Sequence, residues 1–284
     1  MIKRNVKVEK LRVKDFMKKK DISESNRVAW NQALKYHQKA RKNSLHIGFE
    51  NPKFTTLNRD CDEILIDKIK KISLSGKTIS QLPCNNGREL LSLMHFRVKE
   101  AIGFDISDLA ISEAKELAKI SKLNVKFERT DILEIDDKYN YYFDFIYISE
   151  GSLQWFSDLN DYFSVISRLL KKDGKILIFE MHPFAYFFEN GFNPEKQNFD
   201  EMTHYFNKGP YSYEDGLDYV GGVKYESKKC YWFMHKISDI LSAILENNIE
   251  IQEFNEYNME MANNESVKLL DKFPLSYILI GKKK

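Results

Sequence analysis

From residue 64 to residue 180 the chain alternates between two hydrophobic rhythms. Short runs at Thr78–Leu82, Glu100–Asp105, Val125–Arg129, Phe143–Ile148 and Lys175–Glu180 read as strands. Between them the apolar positions recur at helical spacing. Leu65, Ile69 and Ile72 mark one helix, and Arg88–His95, Leu109–Lys119 and Leu159–Leu170 mark three more. Lys172-Asp173-Gly174 reads as the turn into the fifth strand. Strands and helices in strict alternation with short joints predict a doubly wound, mostly parallel α/β sheet covered on both faces.

The two flanks behave differently. Residues 22–49 open with Ser23 and Ser25 as alternative N-caps and continue helically, with Trp30, Ala33, Leu34, His37 and Ala40 on related faces. A segment ahead of the first strand has no place in the sheet, so residues 22–60 are expected to lie across its C-terminal edge. After Glu180 the rhythm stops. Residues 182–232 carry many aromatics and little periodicity, which predicts a cap or lid insertion. Order returns with a helix at Ile237–Glu246 and a last strand pair, Ile249–Asn255 and Leu275–Gly281. One domain over residues 22–284, preceded by a basic tail at 1–21, accounts for the whole chain.

Composition narrows the partners only slightly. Hydrophobic residues make up 43% and charged residues 30%, and the net charge of +2 favours no class of ligand. Residues 1–20 hold nine Lys or Arg against Glu9 and Asp15, which reads as a solvated tail before it reads as a nucleic-acid contact. Cys61, Cys84 and Cys230 lie far apart without metal-ligand spacing, so neither zinc nor a disulfide framework is expected. The charged start lacks a signal-like apolar run, and no stretch reaches the roughly 20 residues needed to span a bilayer. The expected location is therefore the cytoplasm.

The chemistry concentrates in Thr78–Ser107. A turn at Pro83-Cys84-Asn85-Asn86-Gly87 joins a strand end to a helix start, the edge where open α/β sheets bind nucleotide-like ligands. Asp105 ends the next strand, where a carboxylate accepts from two ribose hydroxyls at once. Gly87 stands alone, so the cradle that two close glycines build for a pyrophosphate is missing, and NAD and FAD are disfavoured. A phosphate-free adenosyl ligand such as S-adenosylmethionine fits better. Asp131, in Thr130-Asp131-Ile132 after the third strand, is placed to accept from an adenine amino group. Asn85 and Asn86 tolerate left-handed backbone, so the turn remains feasible without further glycines.

This order of strand, glycine turn, acid, T-D-I and K-K-D-G-K-I-L-I resembles the class I S-adenosylmethionine-dependent methyltransferases. It is similar in particular to a bacterial branch with a tryptophan-asparagine segment. The residues carrying that likeness are Trp30-Asn31 with His37, Gln81 to Gly87, Gly103 to Ser107 and Gly151 to Trp155. Glu180 to Phe184, His235 to Ser238 and Phe273 to Tyr277 complete it. The resemblance spans roughly residues 28–281. It implies a Rossmann-like seven-stranded sheet with an antiparallel C-terminal hairpin. It also implies that Gln81, Pro83, Cys84, Asn85, Gly87, Asp105, Ile106, Asp131, Ile132, Ser149 and Glu150 surround the cofactor, with Trp30 and His37 closing over it. The commonest family turn is close to D-x-G-x-G. Here Pro83 takes a glycine's place and Asn85-Asn86 the next positions.

On the acceptor side, Ser149-Glu150-Gly151-Ser152 replaces the Asn/Asp-Pro-Pro-aromatic motif of amino-group DNA methyltransferases, which disfavours that chemistry. Glu150 and His182 are candidate general bases, and His235 a candidate pocket residue. Cys84 reads as a small buried spacer and Trp155 as a pocket wall. The resulting expectation is methyl transfer to a small molecule beneath an aromatic cap. An RNA or protein methyltransferase and a non-catalytic S-adenosylmethionine-binding regulator are the alternatives.

Overall fold

The computed structural model describes residues 7–8, 18–186, 205–259 and 272–284. In chain order the helices are α1 (Lys19–Arg41), α2 (Ser44–Glu50), α3 (Asp62–Ile72), α4 (Arg88–Leu93), α5 (Asp108–Ser121), α6 (Leu159–Leu169) and α7 (Ile237–Glu246). The strands are β1 (Lys7–Val8), β2 (Thr78–Gln81), β3 (Glu100–Asp105), β4 (Val125–Arg129), β5 (Phe143–Ile148), β6 (Leu170–Met181), β7 (Tyr211–Tyr213), β8 (Cys230–Trp232), β9 (Ile249–Tyr257) and β10 (Ser276–Lys283).

Seven strands form one sheet in the order β4-β3-β2-β5-β6-β10-β9. The first five are parallel, and β10 runs antiparallel to both β6 and β9. The alternation of side chains along each strand divides the core in two. Phe145, Tyr147, Leu177 and Phe179 pack with α3 and with Ala29 and Ala33 of α1. Ile146, Ile148, Ile176 and Ile178 pack with Tyr162, Phe163 and Ile166 of α6 and Ile240 and Ile244 of α7. The central strands are therefore buried on both faces, and they read as continuous apolar runs for that reason. Chain order reverses direction between β2 and β5, so the crevice at their C-terminal ends is a topological switch point.

Some expectations need correction. The N-terminal helix starts at Lys19, a turn before Ser23, and neither serine caps it. Ser25 instead donates to the carbonyl of Lys229 at 2.5 Å, from inside the helix. The helical stretch is also two helices, broken where Lys42 and Asn43 turn left-handed (φ 48° and 61°). Lys172-Asp173-Gly174 does not precede the fifth strand but interrupts it. Leu170 pairs with Phe143 and Lys175 with Phe145, so the intervening residues bulge outward, with Asp173 at φ 64°. Part of the basic tail belongs to a sheet: Lys7 and Val8 pair with Ser212 and Tyr211.

The cap's described residues are better ordered than their aromatic composition suggests. β1, β7 and β8 make a three-stranded antiparallel sheet whose Tyr211 and Trp232 rings stack at 4.5 Å. Residues 187–204 of the predicted cap lie outside the described residues. Asn26 of α1 binds the edge of β8 as a backbone would. Its amide donates to the Tyr231 carbonyl at 2.8 Å and accepts from the Tyr231 N–H at 2.7 Å. Asn26→Ala leaves both buried groups without these partners, and each such loss costs about 1–3 kcal/mol. The expected result is destabilisation of about 2 kcal/mol, read as a lower urea midpoint at unchanged slope.

Candidate active site

The switch point opens into a cavity of about 830 Å³. That volume suits a nucleoside-sized ligand together with a second small molecule. Its floor is the β2–α4 turn. Asn85 (φ 48°) and Gly87 (φ 73°) both take left-handed backbone, so an asparagine does one job that a second glycine does elsewhere. Asp105 holds this turn from the neighbouring strand. One carboxylate oxygen accepts from the Asn85 N–H at 2.8 Å, the other from the Ser107 N–H at 2.9 Å. Burial pushes its carboxyl up to about 6, against the pull of these N–H donors. Asp131 lies at the adjacent strand end, its carboxylate accepting from the Leu133 N–H at 3.0 Å, and Ile106 and Ile132 line the same wall.

Gln81 spans the switch point. Its amide nitrogen donates to Glu89 at 2.9 Å and to the Ser149 hydroxyl at 3.0 Å. Glu89 accepts only, so these contacts fix which end of the amide is nitrogen. The Gln81 carbonyl oxygen is buried, and no protein donor is assigned to it among the described residues. Pro83 and Cys84 complete the floor. Cys84 is buried, its thiol pushed well up by desolvation, which suits a spacer and not a nucleophile.

The roof comes from α1 and the cap. Asn31 pins α1 to the start of α5: its oxygen accepts from the Ser107 hydroxyl at 2.7 Å and its amide donates to Asp108 at 2.8 Å. The preceding Trp30 is thereby held over the cavity, edge-on to Trp155 with ring centroids 5.3 Å apart. Tyr213, Leu217 and Tyr219 close the cap side. The far wall is charged. Glu150 accepts from the Arg59 guanidinium at 2.7 Å, and Arg59 is gripped from behind by the buried carboxylate of Asp62 at 2.9 Å. Burial raises the Glu150 carboxyl, and Arg59 opposes the rise.

The fifteen predicted site residues do not all converge. Trp30, Gln81, Pro83, Cys84, Asn85, Asp105, Ile106, Asp131, Ile132, Ser149 and Glu150 line the cavity. Gly87 does not. A Cβ there would lie 2.3 Å from the Phe127 ring, so the glycine serves packing between the turn and β4. His37 is fully buried behind Trp30, with its Nε2 3.1 Å from the Leu217 carbonyl oxygen. His182 faces β9, with its Nε2 2.9 Å from Glu256, and its Nδ1 accepts from the Phe184 N–H. His235 sits with Nε2 2.8 Å from the Phe156 carbonyl oxygen. Desolvation lowers all three histidines, His37 and His235 to about 4, so they are neutral at pH 7. None of the three lines the cavity among the described residues, which leaves Glu150 as the candidate base in contact with it.

Sequence reasoning missed Arg59, Asp60, Arg88 and Glu89, all on the cavity wall. Arg59 and Glu150 are 91 positions apart, so no local pattern joins them. It also missed the task of Glu180. This buried carboxylate accepts from the backbone N–H groups of Gly151, Ser152 at 2.9 Å, Leu153 at 3.2 Å and Met181 at 2.8 Å.

A mostly parallel seven-stranded sheet, an antiparallel final pair and an acid-bearing crevice at the switch point constitute the Rossmann-like fold of class I methyltransferases. Residues 74–208 match the family model described as a methyltransferase domain. Among solved structures, a Listeria monocytogenes protein assigned as an S-adenosylmethionine-dependent methyltransferase aligns with a TM-score of 0.58 and 17% identity. The alignment covers 77% of this chain and 96% of that one. An S-adenosylmethionine-dependent methyltransferase from Clostridium acetobutylicum aligns at 0.55 and 17% identity, over 78% and 89% of the two chains. A tRNA U34 carboxymethyltransferase from Campylobacter fetus is 28% identical over 107 residues. That match spans 38% of this chain and 37% of the relative.

Proposed function

We propose that the protein is an S-adenosylmethionine-dependent methyltransferase acting in the cytoplasm on a small-molecule acceptor held between the β5–α6 loop and the cap. The observation that carries this reading is the shared cavity. Asp105 and Asp131, at the ends of β3 and β4, line it together with Glu150 and Trp155 from beyond β5, and Trp30 roofs it. The residues fit the cofactor: a phosphate-free ligand needs no second glycine, and the left-handed Asn85 turn and the Asp105 carboxylate line the same cavity. Three free cysteines suit a reducing compartment. Among the described residues, no helix is long and apolar enough to cross a membrane.

When bound, the cofactor supplies a methyl group activated by its sulfonium. The chain's own work is alignment and exclusion of water. Asp105 orients the ribose, the Asn85 turn receives the arm, and Trp30 with Trp155 keeps solvent out. Glu150 takes a proton where the acceptor enters protonated. Calorimetric titration tests the class: S-adenosylhomocysteine is expected to bind at least about tenfold more tightly than NADH, and the reverse order sinks the reading.

An RNA acceptor is the second reading, favoured by the tRNA-modifying relative and the basic first 20 residues. It predicts polynucleotide binding that weakens steeply with salt and is lost on deleting residues 1–20. Salt-insensitive or absent binding returns the argument to small molecules.

A further inference from the structure

Once the cofactor's place is set aside, the cavity wall still has a sign. Among the described residues its ionisable side chains are Asp60, Glu89, Asp105, Asp131 and Glu150 against Arg59 and Arg88. Arg59 brings little free charge, because the buried Asp62 behind it already accepts from its guanidinium at 2.9 and 3.1 Å. Glu150 and Glu89 are close enough that Glu89 helps hold the Glu150 carboxyl up. Two like charges beside a ligand site cost energy unless something positive joins them. The buried Gln81 oxygen has no assigned protein donor and belongs to the same wall. Its amide nitrogen is committed to Glu89 and Ser149, so Gln81 offers only its oxygen to the cavity, and Arg59, which donates to Glu150 at 2.7 Å, is shared with Asp62, so that this trio keeps a net negative charge. Beside it stand the faces and edges of Trp30, Trp155 and Tyr219. Rings of this kind attract cations through their negative faces and favour flat apolar bodies.

Resting on the methyltransferase reading, we infer that the acceptor is an arylalkyl- or alkyl-ammonium compound. Its cationic nitrogen is received by Glu150, Glu89 and the Gln81 carbonyl oxygen, and its apolar body lies against Trp30 and Trp155. The cofactor's own ammonium shares this chemistry, but S-adenosylmethionine sets its ammonium and sulfonium against a carboxylate and so brings a single net positive charge, less than the surplus of acids over arginines on the wall. The acidic surplus therefore survives cofactor binding and is left for the acceptor. A carboxylate-bearing acceptor would meet the same surplus as repulsion, with only Arg59 and Arg88 to offset it.

Calorimetry on the full-length protein saturated with S-adenosylhomocysteine tests this. The probes are benzylamine, phenethylamine and tryptamine, each beside its carboxylate and alcohol counterpart of matching shape. At least one amine is expected to bind at least about tenfold more tightly than both counterparts, and Glu150→Gln, checked for an unchanged melting midpoint, narrows that ratio severalfold. A series in which no amine outbinds its counterparts overturns the inference while leaving cofactor binding intact. So does an amine that binds only when S-adenosylhomocysteine is absent, because the acceptors then serve the cofactor's arm. Failure of S-adenosylhomocysteine itself to bind removes the methyltransferase reading first, and the inference with it.

Discussion

Asp105→Ala is expected to weaken S-adenosylhomocysteine binding by at least about a hundredfold, measured by calorimetry at pH 8. Hydrogen bonds to a charged acceptor contribute about 1.5–3 kcal/mol each, and two ribose hydroxyls would be lost together. The same carboxylate also accepts from Asn85 and Ser107, so its loss loosens the turn as well as the ligand. Asp105→Asn separates the two effects only partly. An amide turns one of these acceptors into a donor, facing either a backbone N–H or the ribose.

The wild-type protein should report the same residue through pH. The Asp105 carboxyl is raised to about 6 by burial, above its ordinary 3.8. On stability alone, its contribution is present below the ordinary value and is lost as pH rises through about 6. Ligand binding runs the other way. Ribose hydroxyls favour the anion, so affinity is highest above pH 6 and falls about tenfold for each unit below it, with proton uptake reversed into release on binding. Affinity that stays flat between pH 5 and pH 8 would remove Asp105 from the ribose.

Glu180→Ala is expected to destabilise the protein by about 4 kcal/mol or more, a loss seen in urea unfolding. Four backbone N–H groups share this one carboxylate, and each left unsatisfied in the interior costs about 1–3 kcal/mol. Three of them belong to the segment that carries Glu150, Trp155 and the left-handed Gly151 (φ 71°), so the acceptor wall moves with the anchor. Burial raises the Glu180 carboxyl to about 7, from an ordinary 4.5. Its contribution to stability is therefore complete below about 4.5 and lost as pH rises through 7, and the melting temperature should fall over that window. Glu180→Gln removes the titration and should flatten the slope, but its amide nitrogen sets a donor against two of the four N–H groups, so a large part of the stability loss should remain. An alanine variant within about 1 kcal/mol of wild type would mean that the loop holds itself.

The strands and helices from residue 64 to 180 were legible because their cause is local. Phe143–Ile148 is buried on both faces, and a continuous apolar run is what that environment selects. Asp105 and Asp131 were legible for a related reason. A strand end fixes where the next residue points, so position along the chain translates directly into position at the sheet's edge. The lone Gly87 in the turn was enough to disfavour a phosphate cradle, although its own role proved to be contact with Phe127.

The histidines show where such reading stops. His182 follows a strand end and His235 precedes a helix start, positions that functional residues often take, yet each turns away from the cavity to a neighbour far along the chain, Glu256 or Phe156. The Phe184 N–H holds the His182 ring from two residues away, but neither histidine's distant partner is marked by its neighbours in sequence. The same holds for Arg59 with Glu150, for Glu180 beneath Gly151, and for Asn26 against β8. The sequence by itself determined the sheet, the turn and the acids at the strand ends that line the cavity, because backbone periodicity and strand ends are short-range properties. Only the tertiary structure decided which polar groups are spent on one another and which remain for a ligand, because hydrogen-bond partners are chosen by proximity in space, across gaps of up to 205 residues.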